Sequence, residues 1–188
     1  MHSVPVILGS TRRGRQSHRV ALFMNEKLGG LEDVDNELLD LLEYDFPIME
    51  ERLHMRDDPP PRLAEYAEKI EQAAALVIVT PEYNNGYPGV LKNALDYLSP
   101  KLYSRKPIGI VTVSAGAGGG TCLAQLRLVT LGLGAVPIPA AMLVTRVQDQ
   151  FSETGQPLDP RWETQADRFI ETLLWFTEAL SAKRASES

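Results

Sequence analysis

The segment ALVIVTPEYNNGYPGVLKNALD, residues 75–96, decides the fold. Its first five residues, Ala75 to Val79, are apolar without alternation, the pattern of a strand covered on both faces. A turn rich in asparagine and glycine follows, and Pro88 suits the first turn of a helix because no required donor is lost there. Beyond it Val90, Leu91, Ala94, Leu95 and Leu98 recur at helical spacing, which predicts a helix from Pro88 to Leu98. Upstream, Leu63, Ala67, Ile70 and Ala74 make another helical stripe. The local unit is therefore helix, buried strand, polar loop, helix.

The same unit recurs outward in both directions. Val4-Pro5-Val6-Ile7-Leu8 reads as a short buried strand, Gly9 to Gly14 as a polar loop. Val20, Ala21, Phe23, Met24 and Leu28 then mark a helix stopped by Gly29-Gly30. A second strand is expected within Glu37 to Leu42. Tyr44 to Pro61 reads as an extended surface connection, stiffened at its end by Pro59 to Pro61. Downstream, Ile108 to Val113 is a strand, Ser114 to Gly120 a glycine-rich loop, and Leu123, Leu126, Leu128 and Leu131 a mostly apolar helix. A fifth strand lies between Val136 and Val144 despite its two prolines, and a long helix covers about Pro160 to Ala182. Uniformly apolar strands separated by helices predict a three-layer α/β domain with a parallel sheet. One domain is expected over residues 1–183, with a polar tail at 184–188.

Composition narrows the classes of function. The 188 residues, 44% of them hydrophobic, suit one domain with a substantial core. Nineteen Lys and Arg against 25 Asp and Glu leave a net charge of -6, which argues against general nucleic-acid or membrane-surface partners. A single cysteine, Cys122, excludes an internal disulfide, and His2, His18 and His54 show no metal-ligand spacing, so no metal is expected. No apolar run approaches the roughly 18 residues of a membrane span, and no signal segment is readable. A soluble, cytoplasmic protein is the expectation.

Three loops fall after predicted strands, at the edge where open parallel sheets gather ligands. In the first, Ser10, Thr11, Arg12, Arg15 and Ser17 offer hydroxyls, guanidinium groups and a helix start, a set suited to phosphate oxygens. A polar turn with surface ion pairs is the plainer alternative. Gly9 and Gly14 have triphosphate-loop spacing, but Arg15-Gln16 stands where Lys-Ser or Lys-Thr is needed, and G-x-G-x-x-G is missing. Triphosphate hydrolysis and a standard dinucleotide fingerprint both lose support. The second loop, Thr80 to Gly89, suits either the reading of a heterocycle, with Tyr83 or Tyr87 covering a ring, or simply a turn and helix cap. The third, Ser114 to Gly120, holds four glycines that let backbone approach a flat ligand. Three such loops on one edge suggest a planar cofactor bearing a phosphate.

These residues resemble the NADPH-dependent FMN reductases with a flavodoxin-like fold, over nearly the whole chain. The strongest element is Pro81-Glu82-Tyr83-Asn84, then Pro88-Gly89 and Leu91-Lys92-Asn93-Ala94-Leu95-Asp96. Gly9-Ser10-Thr11-Arg12 with Gly14-Arg15, and Ser114 with Gly116 and Gly118-Gly119, match the family's other two loops. The resemblance implies a five-stranded sheet of order 2-1-3-4-5 and an FMN cofactor. It places the phosphate at Ser10, Arg12, Arg15 and Ser17, and the ribityl chain and ring along Pro81, Glu82, Tyr83 and Asn84. Ser114, Gly116, Gly118 and Gly119 would lie near the ring. Gly86 and Ala117 depart from relatives that carry serine and histidine there.

The resemblance further implies hydride transfer from NADPH or NADH to flavin N5. Electrons would then pass to a small-molecule acceptor: a quinone, an azo compound, a metal oxyanion or a free flavin. It implies a homodimer or homotetramer with flavin sites near the subunit contact. A flavodoxin-like electron carrier and a non-enzymatic FMN-binding redox partner are the alternatives, and the full Pro81 to Asp96 pattern favours the reductase. No general acid or nucleophile is assigned. Glu82 reads as a determinant of loop geometry, Lys92 and Asp96 as an i,i+4 helix pair, and Cys122 as a core or near-loop residue.

Overall fold

The structure is a computed structural model that describes residues 1–186. Five parallel strands form its main sheet: β1 (Val6–Leu8), β2 (Leu38–Asp40), β3 (Leu76–Pro81), β4 (Pro107–Val113) and β5 (Val136–Val144). Their spatial order is β2-β1-β3-β4-β5, the flavodoxin-like arrangement that the family resemblance implies. A two-residue parallel pair, His2–Ser3 with Val34–Asp35, precedes β1 and β2. Five helices of two turns or more cover the sheet: α1 (Ser17–Gly29), α2 (Leu63–Gln72), α3 (Gly89–Asp96), α4 (Gly120–Gly132) and α5 (Arg161–Ala185).

Alternation along β3 explains why its sequence is apolar without a break. Val77 and Val79 enter one core with Phe23 of α1 and Phe169 and Leu173 of α5. Leu76 and Ile78 enter the other with Ile70 of α2, Leu91 and Leu95 of α3 and Leu126 of α4. Successive side chains point to opposite faces, and both faces are covered, so neither set tolerates polarity. Gly109 of β4 shows how closely α5 packs. An added Cβ there would lie 2.4 Å from Phe169 Cζ.

The prolines of β5 are accommodated because β5 is an edge strand. Its register against β4 breaks between Ile108 and Ile110, whose partners jump from Pro137 to Ala141. The residues around Pro139 thus bulge out of the ladder.

Two expectations change. The Tyr44 to Pro61 connection contains a 3-10 turn, Leu53–Met55, and a one-turn helix, Leu41–Tyr44, leads into it. It is also tied down: the Asn93 side chain donates to Pro47 O (2.7 Å) and accepts from Met49 N (2.8 Å), while Tyr97 Oη donates to Pro47 O. Phe46 packs edge-on against Tyr66 and Tyr97. The tail expected at 184–188 begins inside α5, which continues to Ala185. Arg184 holds that last turn by donating to Arg105 O (2.7 Å) and Ala74 O (3.1 Å). The last two residues of that expected tail lie outside the described residues. Nearby, buried Lys106 donates to Ile70 O and Glu71 O, carbonyls in the last turn of α2.

Candidate functional site

The chain runs from β1 through α1 to β2 on one side, then crosses to β3 on the other side of β1. That reversal opens a crevice at the carboxyl ends of β1 and β3, flanked by the loops that leave them.

The first loop carries three arginines, and the two that line the crevice, Arg12 and Arg15, have different tasks. Arg15 Nη1 donates to Asp40 Oδ1 (2.6 Å) and to Ser10 O (2.5 Å), and Nη2 pairs with Asp40 Oδ2. Asp40 also accepts from Leu42 N (2.9 Å), capping the turn after β2. Arg15 is therefore engaged by protein groups, although it also lines the crevice. Arg12 is exposed, and its guanidinium makes no ion pair or hydrogen bond among the described residues; its carbonyl accepts from Arg15 N (3.1 Å). Ser10 is buried, and its hydroxyl is paired with Tyr83 Oη at 3.0 Å. Ser17, the first residue of α1, is buried with its Oγ unpartnered among the described residues, and no side chain caps the helix.

The second loop is a tight hairpin. Tyr83 and Gly86 exchange backbone hydrogen bonds of 2.8 and 3.0 Å, with Asn84 (φ 50°) and Asn85 (φ 64°) between them. Two left-handed residues in a two-residue turn favour asparagine, which reaches that region at less cost than most side chains. Gln125 of α4 donates to Asn85 O (3.0 Å), and Glu82 N donates to Val113 O (3.0 Å), fastening the loop to its neighbours. Pro81 ends β3, buried.

In the third loop Ser114 Oγ accepts from Gly116 N (3.0 Å), and Gly116 O accepts from Arg146 N (2.9 Å). Gly119 has φ 131°, a conformation open to glycine alone, and Thr112 Oγ1 would lie 2.8 Å from an added Cβ. Cys122 lies buried in the first turn of α4. Burial, reinforced by the Glu82 carboxylate, pushes its thiol up to about 12. It is a buried, packed thiol held in its neutral form.

A cavity of about 110 Å³ collects Arg12, Arg15, Gln16, Ser17, Pro81, Glu82 and Tyr83 with Val113, Ala115 and Val147. A more open space of about 420 Å³ shares Arg12, Glu82 and Tyr83 and adds Asn84. Six of the twelve residues named from the sequence thus line the smaller space, and Asn84 joins three of them around the wider one. Ser10 stands behind it, holding Tyr83. Ser114, Gly116, Gly118 and Gly119 form the adjacent loop without lining either space. Sequence reasoning missed Gln16 as a lining residue, along with Val113, Ala115 and Val147. Gln16 sat at the break in the triphosphate motif; Val147, from the loop after β5, carries no local signal.

A roomier cavity of about 730 Å³ lies between α1 and α5. Its cation, Lys27, is already paired with Asp167 (2.6 Å) and Glu163 (3.0 Å), and it is remote from the strand ends. The crevice is the candidate ligand site because two of its lining residues carry buried polar atoms without a partner among the described residues: Ser17 Oγ and Gln16 Oε1. An uncapped helix start, an orphan hydroxyl and an unpaired arginine make a donor set for a phosphate. The residues present fit the phosphate of a flavin mononucleotide, with Tyr83 and Asn84 walling the wider space.

An open α/β sheet of this order, with a phosphate-type loop at its switch point, defines a flavodoxin-like protein. The chain belongs to the NADPH-dependent FMN reductase family, whose profile matches residues 3–149. The FMN-dependent NADPH-azoreductase of Staphylococcus haemolyticus (strain JCSC1435) is 26% identical over 179 residues, covering 91% of this chain and 93% of that protein. The enzyme of the same description from Staphylococcus aureus (strain USA300) is 25% identical over 178 residues, with the same coverage. Among solved structures, the flavoenzyme NAD(P)H:(acceptor) oxidoreductase FerB from Paracoccus denitrificans shares the fold with a TM-score of 0.72 at 22% identity, over 95% of this chain and 98% of that one. An oxidoreductase from Corynebacterium diphtheriae shares it with a TM-score of 0.75 at 17% identity and the same coverage. The protein is an FMN-dependent oxidoreductase of the kind that draws electrons from NAD(P)H and passes them to an acceptor. No helix among the described residues is long and apolar enough to cross a membrane.

Proposed function

We propose that this chain binds FMN in the crevice beside β1 and β3 and, as a homodimer, uses NADPH or NADH to reduce small planar acceptors of the quinone or azo class. Metal oxyanions and free flavin are further acceptors on this reading. The observation that carries it is the orphan Ser17 hydroxyl at the uncapped start of α1, facing the same cavity as Arg12. FMN, when bound, supplies a ring that takes a hydride from a nicotinamide and yields electrons to a second substrate.

The chain's own residues would bind and orient. Arg12, Ser17 and the first N–H groups of α1 would hold the phosphate dianion, favoured there by the helix dipole. The Arg15–Asp40 pair fixes the loop that presents them. Ser10 holds the Tyr83 phenol, and so sets the wall of the wider space. That space is open, with Arg12, Glu82, Tyr83 and Asn84 around it. An open, shallow pocket over a ring favours successive binding of nicotinamide and acceptor at one place, and tolerance among flat acceptors. The azoreductase relatives support an azo compound as one of them.

For the dimer, the support is α4. Its leucines point outward as well as inward: Leu128 is 70% and Leu131 57% exposed, while Leu126 is buried. Two large exposed leucines three positions apart on one helix make an apolar patch that calls for cover. A second copy seated there would border the third loop. Sedimentation of wild type against Leu128→Glu/Leu131→Glu tests this; an unchanged monomeric mass for both removes the dimer.

The test of function is anaerobic mixing of FMN-loaded protein with NADH or NADPH while flavin absorbance is recorded. Bleaching within seconds, then recovery on adding a quinone or azo dye, is the expected cycle. Bound FMN that neither nucleotide reduces would leave an electron carrier or a binding protein instead.

A further inference from the structure

Glu82 follows the end of β3, yet its carboxylate serves another element. Oε2 accepts the N–H of Cys122 at 3.0 Å, in the first turn of α4 and forty positions along the chain. Gly119, which precedes that helix, has no side chain with which to cap it. An orphan first-turn donor is thus satisfied from the neighbouring loop, by a negative group at the positive end of the helix. The backbone of Glu82 is itself fixed through its N–H to Val113 O (3.0 Å). The carboxylate therefore reaches α4 from a rigid base.

The other carboxylate oxygen explains a glycine. A Cβ built on Gly118 would lie 2.2 Å from Glu82 Oε1 and 3.2 Å from Cδ. Gly118 is absent from the positive-φ residues, unlike Gly119, so its backbone conformation does not demand glycine. Room does. The space an alanine methyl would fill is taken by the Glu82 carboxylate.

We infer that Glu82 and Gly118 work as one lock, in which the carboxylate occupies the room left by the missing Cβ, caps α4, and holds the third loop against the second. Glu82 is a positioning residue on this account. Gly118 is its steric partner, and its identity owes nothing to contact with the cofactor. Glu82 also walls both spaces of the crevice, so its displacement alters the site directly. The consequence for FMN affinity rests on the proposed function; the consequence for stability does not.

The test is a double-mutant cycle. Glu82→Ala, Gly118→Ala and the double variant are melted without cofactor and titrated with FMN. Loss of the cap in Glu82→Ala should lower Tm by about 2–4 °C. Gly118→Ala should cost at least as much, because its methyl evicts the carboxylate from α4. In the double variant the methyl enters vacated room, so Tm should be no lower than in Glu82→Ala alone. FMN dissociation constants should follow: about tenfold weaker in each single variant, and no weaker in the double than in Glu82→Ala. Glu82→Gln keeps an acceptor oxygen and should recover most of both losses. Faster exchange of the Cys122 amide in Glu82→Ala and Gly118→Ala alike would place the effect at the cap. Additive losses in the double variant, or a Gly118→Ala protein that melts like wild type, would overturn the lock. Failure of wild type to bind FMN, with the Tm cycle still non-additive, would remove the functional reading and leave the lock standing.

Discussion

Arg15 spans from the first loop to the end of β2 and meets both carboxylate oxygens of Asp40, with the two side chains only 15% and 11% exposed. A planar guanidinium matched to a carboxylate in this way is a geometric clamp. It leaves Arg12, of the loop's two exposed arginines the one that lines the crevice, available to an anion.

The two arginines should therefore fail differently. Arg12→Ala should weaken FMN binding about 10–100-fold and flatten its salt dependence, with little change in urea unfolding. Arg15→Ala should instead lose about 2–4 kcal/mol of stability, because Asp40 is left mostly buried without its partner. Urea melts and fluorescence titrations of both variants check this. Equal effects of the two substitutions on both measurements would contradict the division of roles.

Asn93 lies within the motif of α3, and its amide pins Pro47 and Met49 of the long connection. Asn93→Ala should cost about 1–2 kcal/mol and loosen residues 47–56 locally. Trypsin at low dose should then cut after Arg52 or Arg56 several-fold faster than in wild type. A cleavage rate that does not change means the aromatic packing of Phe46 holds the connection by itself.

Gly109→Ala should destabilise the chain by about 1–3 kcal/mol through collision with Phe169. Phe169→Leu should cost less in that background than in wild type, since the ring tip responsible is gone. Chemical denaturation of the four proteins measures the coupling.

Acid stability should carry the mark of Glu65. Its carboxylate receives Arg62 Nε and Nη2 at 3.0 and 3.1 Å, and that bond, aided by Lys69, holds its pKa down to about 2. A folded-state pKa below the unfolded value contributes stability above pH about 4.5 that is lost as pH falls toward 2. Between pH 5 and pH 3 the wild type should thus lose more stability than Glu65→Gln. High salt should narrow the difference, because the pair is solvent-accessible. Parallel acid limbs for the two proteins in urea midpoints would count against the assignment.

Much of the architecture is legible in the chain itself. Apolar runs from Val4 to Leu8, Ala75 to Val79 and Ile108 to Val113, each followed by a glycine- or asparagine-bearing loop, specify buried strands and where they stop. The bounds of β5, Val136 and Val144, are readable despite its prolines. These are local matters of periodicity and turn chemistry, carried by neighbours in sequence. The end of α5 is less legible. Arg184 looks like part of a polar tail until carbonyls from residues 74 and 105 are brought to it.

By itself the sequence determined the order of strands and helices, the three loops that meet at one sheet edge, and the residue types suited to a phosphate and a flat ring. Only the tertiary structure decided which of those residues are spoken for. Arg15 is spent on Asp40, 25 positions away, Ser10 on Tyr83, 73 away, and Glu82 on Cys122, 40 away. The Arg12 guanidinium and the Ser17 hydroxyl have no protein partner among the described residues. A side chain's reach is a few ångströms in space, and the crossover between β1 and β3 sets which distant residues fall within it.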